Sequence, residues 1–298
     1  MITCNSYFSG GGVFDLGLIQ GGLTIQNSYE LDKNACKVQR QNLGGHVTEC
    51  DITEKTVGKD RAQVMAFTYP CTKYSAIADI HGTRTGDELF LHAFRHMAIA
   101  QPDIFIVENV MGMRKFPVVM EAMTKLPNYY IKTFCPVQAA DLLPQKRERI
   151  IMIGSRKRFN WRPPANTSKK QTLADIVEHN PDITLPTAIR KRMTGKYRDA
   201  PIISDPAKND IAPTCVAHYH KDKSTRLLAD KRFPMGVRPY SVREYARLQG
   251  IPDNFSFDSV STTEAYKIIG NGVPTVWGKW IGNEIQRYFR RETWVTEQ

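Results

Sequence analysis

The chain of 298 residues has no C-x-x-C pair, no long apolar run, no internal repeat and no low-complexity segment. Its six cysteines (Cys4, Cys36, Cys50, Cys71, Cys135 and Cys215) are scattered, which argues against a disulfide framework and against a zinc ribbon. No metal site is expected: His218 and His220 lack a companion Cys or carboxylate at ligand spacing. No stretch approaches the roughly 18 apolar residues of a membrane span. Met1-Ile2-Thr3-Cys4-Asn5 shows no basic segment leading into an apolar one, so no secretory signal and no membrane partner are expected. With 41% hydrophobic and 10% aromatic residues the composition is too apolar for disorder. A reduced, cytoplasmic, soluble protein is the expectation.

Charge is what the sequence has in excess, and its placement matters more than its total. There are 41 Lys+Arg and 30 Asp+Glu, a net of +11. Counting along the chain, residues 1–150 carry 16 basic and 15 acidic side chains, 151–250 carry 20 and 9, and 251–298 carry 5 and 6. The surplus thus sits in one block of a hundred residues, the pattern of a polyanion footprint. A solvated lysine-rich surface is the plainer alternative.

The first half alternates β-branched or aromatic runs with helical patterns, which points to βαβ units and a mostly parallel sheet. Strands are expected at 2–8, 23–29, 64–68, 104–107, 129–134 and 149–153, and helices at 13–20, 33–42, 87–100 and 114–125. From Arg156 the pattern gives way to a basic, Pro-rich stretch with Pro163, Pro164, Pro181, Pro186, Pro201, Pro206 and Pro213, a composition boundary.

Four clusters carry chemistry. Phe8-Ser9-Gly10-Gly11-Gly12 lies between the first strand and its helix, where a glycine turn lets backbone approach a ligand and the helix start offers N–H groups. Glu30, twenty residues after Gly10, ends the second strand, where a carboxylate can accept from both ribose hydroxyls. Asp51 and Ile52 sit where a third strand would end, in reach of an adenine amino group. Asp15 takes the place of the last glycine of G-x-G-x-x-G, a departure that weakens a pyrophosphate-cradle reading. A tight turn and a solvated Glu remain the alternative.

The second cluster, Tyr69-Pro70-Cys71-Thr72-Lys73-Tyr74-Ser75, follows a strand and puts a cysteine over the ligand crevice, with Lys73 near enough to favour the thiolate. A lone Cys is more often inert core. The third, Ile106-Val107-Glu108-Asn109-Val110, brings a carboxylate to the end of another strand, costly unless it has a partner or a task. In the fourth, Gln145-Lys146-Arg147-Glu148-Arg149, strand alternation points Arg147 and Arg149 to one side.

Together with the downstream segments Arg238-Pro239-Tyr240-Ser241-Val242-Arg243-Glu244-Tyr245-Ala246-Arg247-Leu248-Gln249-Gly250-Ile251-Pro252-Asp253 and Gly270-Asn271-Gly272-Val273-Pro274, these clusters resemble, in order, the blocks of the DNA (cytosine-5) methyltransferase family. Only residues 160–235 lack a match, and there the family varies. The resemblance implies an α/β, Rossmann-like S-adenosylmethionine-dependent methyltransferase sheet with a second, smaller target-recognition domain. It implies a catalytic and cofactor-binding domain over 1–160 plus 262–298, and a DNA-binding domain over 161–261. It implies S-adenosylmethionine as cofactor, leaving as S-adenosylhomocysteine, held by Phe8, Gly10, Gly12, Glu30, Asp51, Ile52, Pro70, Leu89, Asn271 and Val273. Cys71 matches the nucleophile that adds to cytosine C6, Glu108 the residue at the N3/N4 edge, and Arg149, supported by Arg147, the contact to O2. Ser75, Thr214, His218, Lys221, Lys223 and Arg226 are the expected DNA contacts.

The implied activity is methylation of cytosine C5 in a specific double-stranded DNA sequence, with the base flipped out of the helix. A monomer is expected, cytoplasmic in a bacterial or phage-infected cell and DNA-associated; a restriction endonuclease of the same system, without a stable complex, is one partner the resemblance allows, and a phage-borne or solitary enzyme is the alternative. Two departures stand out: Thr72 replaces the usual Gln after the nucleophile, and Tyr74 the usual Phe. Methylation of cytosine in tRNA is an alternative the same fold supports. A silent DNA-binding homologue has no chemical reason to keep Cys71, Glu108 and Arg149 together. A nicotinamide-dependent oxidoreductase would leave the Cys and Arg clusters unexplained.

Overall fold

A computed structural model describes residues 1–58, 61–70, 88–165, 170–196 and 201–290. Contacts divide the chain into two compact units. The first comprises Met1–Val137, Glu148–Ala165 and Trp277–Gln298, and the second Gln138–Arg147 and Asn166–Val276.

The first unit is built on a seven-stranded sheet. Its strands are β1 (Ile2–Tyr7), β2 (Leu23–Glu30), β3 (His46–Glu49), β4 (Val64–Phe67), β5 (Ile104–Val110), β6 (Tyr130–Gln138) and β7 (Glu148–Ser155), in the order β3-β2-β1-β4-β5-β7-β6. β1 runs parallel to β2 and β4, β2 to β3, and β4 to β5, whereas β7 is antiparallel to β5. Strand order reverses between β1 and β4, and ligands of open α/β sheets bind at the carboxyl ends of strands flanking such a switch point. The loops after β1 and β4 are the two that carry the glycine turn and the Tyr69-Pro70 segment.

Four helices were expected in this region, and among the described residues four form: α1 (Val13–Gln20), α2 (Lys33–Leu43), α3 (Glu88–Ala100) and α4 (Pro117–Thr124). Asp32 caps α2 by accepting from the amides of Asn34 and Ala35. α4 starts three residues later than expected, because a 3-10 turn occupies Met111–Lys115 and Pro117 suits only the first turn of a helix. The core between sheet and helices is aromatic and sulfur-rich, with Tyr7, Phe67, Phe105, Met97 and Met152 all buried. In the same unit the C-terminal helix α9 (Thr275–Phe289) approaches α1 closely. A Cβ at Gly278 would lie 2.6 Å from the Phe14 carbonyl oxygen, and one at Gly282 would lie 2.8 Å from Gly21 Cα.

The second unit holds a three-stranded sheet, β8 (Ile202–Ser204), β9 (Arg226–Ala229) and β10 (Val237–Arg238), in the order β10-β9-β8. Its helices are α5 (Leu173–Ile176), α6 (Ala188–Thr194), α7 (Val242–Arg247) and α8 (Thr262–Asn271). Ser241 and Glu244 form a reciprocal capping box at the start of α7. The same Glu244 pairs with the fully buried Arg238, whose guanidinium also reaches Asp230 at 2.7 Å. Residues 138–147 and 262–276, expected with the large sheet, group by contacts with this unit. The reason is local: the 145–147 segment bonds to residues 212–215, and α8 packs on the 3-10 turn at Ala217–Lys221.

Candidate active site

The first unit places the glycine turn as its sequence required. Gly10 and Gly12 have φ of +57° and +79°, and Phe8 itself takes φ +60°. Backbone and side chains hold the turn at several points. Ser9 N–H donates to Tyr29 O, Gly12 N–H to Ser9 O, and Thr68 Oγ1 to Phe8 O. A Cβ at Gly10 would meet nothing within 4 Å, so open space lies over this part of the turn.

Glu30 ends β2 beside it. Its Oε2 accepts the Gly10 amide at 2.7 Å, and its Oε1 accepts those of Leu31 and Asp32 at 2.9 and 2.8 Å. The carboxylate is therefore already oriented, with lone pairs to spare for hydroxyl donors. Open space over a positive-φ turn, with an oriented acid at the next strand end, fits the ribose and amino-acid parts of S-adenosylmethionine. Asp51 follows β3 by two residues. It accepts from Thr53 N at 2.8 Å, and this bond lowers its pKa, while Ile52 is buried. Pro70 is exposed after β4, and Leu89 lies half-buried in the first turn of α3. Asn271 is exposed at the end of α8 and Val273 is buried; both belong to the second unit.

Glu108 and Arg149 meet across the sheet. Arg149 opposes Val110 in the β5–β7 register, so Glu108 is its diagonal neighbour on the same face. Arg149 Nε stands 3.1 Å from Glu108 Oε1, with both side chains largely buried. Next to Glu108 in β5, Asn109 does two jobs that the sequence did not flag. Its Nδ2 donates to Tyr69 O, two residues ahead of Cys71, and its Oδ1 accepts from Val110 N. Cys71 and Ser75 lie outside the described residues.

Arg147 has a different setting from Arg149. It is buried in the second unit, where Nη1 donates to Cys215 O at 2.9 Å and to Gly270 O at 3.4 Å, and Nη2 donates to Gly272 O at 2.9 Å. Gln145 and Gln249, neither singled out from sequence, extend this hub. Gln145 Oε1 accepts from Cys215 N, its Nε2 donates to Gln249 Oε1, and Gln249 Nε2 donates to Ile269 O and Gly272 O. The QxR, RLQG and GNGV segments are thus tied through side-chain amides and one guanidinium.

Of the expected nucleic-acid contacts in the second unit, His218 and Lys221 are exposed on the 3-10 turn over Ala217–Lys221. Thr214 donates its hydroxyl to Lys146 O. The half-buried Lys223 stands 4.6 Å from the Tyr266 ring centre, and burial lowers its pKa. Arg226 begins β9, and its carbonyl accepts from Tyr219 OH. Beneath them Tyr219 stacks on Tyr245 at 4.7 Å and meets Tyr266 edge-on at 5.3 Å, a rigid aromatic base for a basic turn.

A family model described as C-5 cytosine-specific DNA methylase matches residues 2–287. The chain is 27% identical to the Type II methyltransferase M.FnuDI of Fusobacterium nucleatum, over 90% of each protein. It is 29% identical to the Type II methyltransferase M.NgoPII of Neisseria gonorrhoeae, over 90% of this chain and 91% of that one. Among solved structures it resembles the Dnmt2 methyltransferase of S. pombe, with a TM-score of 0.79, 16% identity, and coverage of 97% of this chain and 99% of that one. It also resembles the methyltransferase EhMeth of Entamoeba histolytica, with a TM-score of 0.80, 15% identity and 98% coverage of both. At such identities these two likenesses establish the fold alone: the mostly parallel α/β sheet of these methyltransferases.

Proposed function

The chain belongs to the family of C-5 cytosine-specific DNA methylases, and from that premise we propose that it methylates cytosine C5 within a specific double-stranded DNA sequence through a covalent Cys71–C6 adduct. The observation that supports this reading is the Glu108–Arg149 pair, a carboxylate and a guanidinium 3.1 Å apart on one face of adjacent strands. These are the two groups that an N3/N4 edge and an O2 of one pyrimidine ring require.

S-adenosylmethionine supplies an electrophilic methyl group on a sulfonium sulfur. Phe8, Gly10, Gly12, Glu30, Asp51, Ile52, Pro70 and Leu89 would hold it, and Asn271 and Val273 are proposed as further contacts from their match to the family's motif alone. Cytosine C5 is a poor nucleophile, and addition of the Cys71 thiolate to C6 forms an S–C bond while pushing the C5–C6 electron pair toward C5. Glu108 holds a proton at N3 and accepts from N4, and Arg149 polarises O2, so both act on charge as it develops in the ring. Once C5 carries the methyl group that S-adenosylmethionine would supply, with S-adenosylhomocysteine as the group that leaves, loss of the C5 proton to water returns an electron pair to the ring and expels the Cys71 thiolate. Inside a stacked duplex C6 is out of reach, so the target base is flipped out, at a cost of a few kcal/mol.

Residues 1–160 with 262–298 are the catalytic part in this reading, and 161–261 the part that reads DNA. Phosphate contacts come from the basic block, with Thr214, His218, Lys221, Lys223 and Arg226 among them and Ser75 beside the nucleophile. The Type II designation of the relatives supports a place in restriction–modification; that the protein acts as a cytoplasmic monomer with no stable endonuclease complex is part of the proposal. Among the described residues no helix is long and apolar enough to cross a membrane.

The test is a trap. Duplex DNA carrying 5-fluorocytosine at the target should bind the protein covalently when S-adenosylmethionine is present, because fluorine cannot leave as a cation. Cys71→Ala should abolish the adduct and methyl transfer, and leave DNA binding largely intact. An adduct mapped to another cysteine, or methylation of tRNA with none of duplex DNA, would refute the reading.

A further inference from the structure

Asp15, which looks from sequence like a flaw in the glycine motif, is a fully buried carboxylate under the turn. Three neutral donors from three elements converge on it: Ser6 Oγ of β1 at 2.6 Å, Ser28 Oγ of β2 at 2.9 Å and Gln39 Nε2 of α2 at 2.9 Å. A buried carboxylate held by neutral donors is a costly arrangement, and uncharged side chains such as an amide would fill the same space more cheaply. What an ionised acid does that those cannot is impose direction. A carboxylate only accepts, so the two ends of the Gln39 amide are no longer equivalent: Nε2 must face Asp15.

With Nε2 committed, Gln39 Oε1 faces outward and accepts from Ser9 Oγ at 2.9 Å. The Ser9 hydroxyl must then donate, between Phe8 and Gly10. The stem of Gln39 also lies against the turn: a Cβ on Gly12 would come within 2.8 Å of Gln39 Cγ. We propose that Asp15, Gln39 and Ser9 form a positioning relay that sets the shape of the S-adenosylmethionine turn. Asp15 orients Gln39, and Gln39 orients Ser9 and floors Gly12. The inference rests on the reading above that this turn holds S-adenosylmethionine. None of the three is a catalytic residue.

Titration supports the relay. Burial pushes the Asp15 carboxyl up to about 6, against the pull of its Ser6, Ser28 and Gln39 hydrogen bonds, and nearby Glu30 raises it further. The titratable groups facing it are Glu30 at the end of β2 and Cys4 of β1, whose thiol is itself pushed up by burial and by Asp15. Protonation of Asp15 gives it a donor and removes the direction it imposes on Gln39.

The experiment is calorimetric binding of S-adenosylhomocysteine to the full-length protein, with folding checked by circular dichroism. At pH 7.5 the Kd should rise about tenfold in Gln39→Met and in Asp15→Asn, and about threefold in Ser9→Ala, the loss of roughly one buried hydrogen bond's net contribution or less. Affinity for duplex DNA alone should change less than twofold in all three. The wild-type Kd should climb as pH falls through about 6, and the Asp15→Asn protein, which keeps Glu30 and Cys4, should lack that rise. Ser9 lies in the turn, outside helix and strand, so Ser9→Ala keeps the test alive if a core variant does not fold. Folded variants that bind within twofold of wild type, or an acid response unchanged in Asp15→Asn, would remove the relay and leave the cofactor reading standing. A wild-type protein that binds no S-adenosylhomocysteine would remove both.

Discussion

Replacing Arg147 by methionine separates two roles for that residue, support of the cytosine O2 contact and support of the chain around it. Methionine keeps most of the apolar stem and deletes the guanidinium, leaving the Cys215 carbonyl without its 2.9 Å donor and the Gly272 carbonyl with Gln249 Nε2 alone. The 3.4 Å contact to Gly270 is too long to count for much. A hydrogen bond from a charged donor contributes about 1.5–3 kcal/mol, so two put the loss at about 3–6 kcal/mol. At roughly 3–6 °C per kcal/mol for a unit of about 120 residues, between the values for smaller and larger domains, the melting transition should fall by about 9–36 °C. Arg147→Lys should recover part of this, since an ammonium can reach one carbonyl but not both in a fork. Thermal unfolding by circular dichroism reads the shift, and a methyl-transfer assay at a temperature where the variant stays folded reads the rest. Stability within about 1 kcal/mol of wild type, coupled with loss of methyl transfer, would refute the structural reasoning and return Arg147 to the base.

DNA affinity should fall steeply between 50 and 200 mM salt, and changing Lys221 and Arg226 together to alanine should lower the slope of log K against log salt by about two, one for each phosphate left unneutralised. A slope equal to wild type would take both residues off the phosphates. Stability should also carry the mark of Asp15. Its carboxyl is raised from 3.8 to about 6 in the folded chain, so the folded state holds the proton more tightly than the unfolded one. The stability this group contributes is therefore fullest below about pH 4 and is lost as pH rises to 6, by about 3 kcal/mol at 1.36 kcal/mol per pKa unit. Asp15→Asn should accordingly be the more stable protein at pH 7.5, with the gap closing as pH falls from 6 to 4. Urea denaturation across that range checks the sign, and a gap that widens in acid would show that Asp15 is not buried as a charge.

Features that a few neighbouring residues determine were legible from sequence. The βα turn at Phe8–Gly12, the acid at the end of β2 and the helix starting at Val13 each follow from local chemistry. The parallel sheet followed from the alternation of apolar runs with helical patterns. Of β3 only the place of its end, beside Asp51, was legible, because it is a short edge strand, His-Val-Thr-Glu, with no apolar face to advertise its range. The strand carrying Glu108 runs on to Val110, so Glu108 lies inside β5, where its face is shared with Arg149 of β7.

Arg147 and Asp15 show where local reading stops. Alternation put Arg147 beside Arg149, but β7 begins at Glu148, and the carbonyl of Arg147 already accepts from Ala139 N. One residue beyond the strand, the period of two no longer governs where a side chain goes, and the acceptors that claim the guanidinium come from positions 68 to 125 residues away. Asp15 is the converse case. Glycine's place taken by an acid reads as a weakened motif only while the acid is assumed to face the ligand. Turned inward it needs Ser6, Ser28 and Gln39 at once, one from each of three elements, and none of those residues is informative alone. The donors make sense only as a set, and the set exists only once β1, β2 and α2 have packed around the first turn of α1.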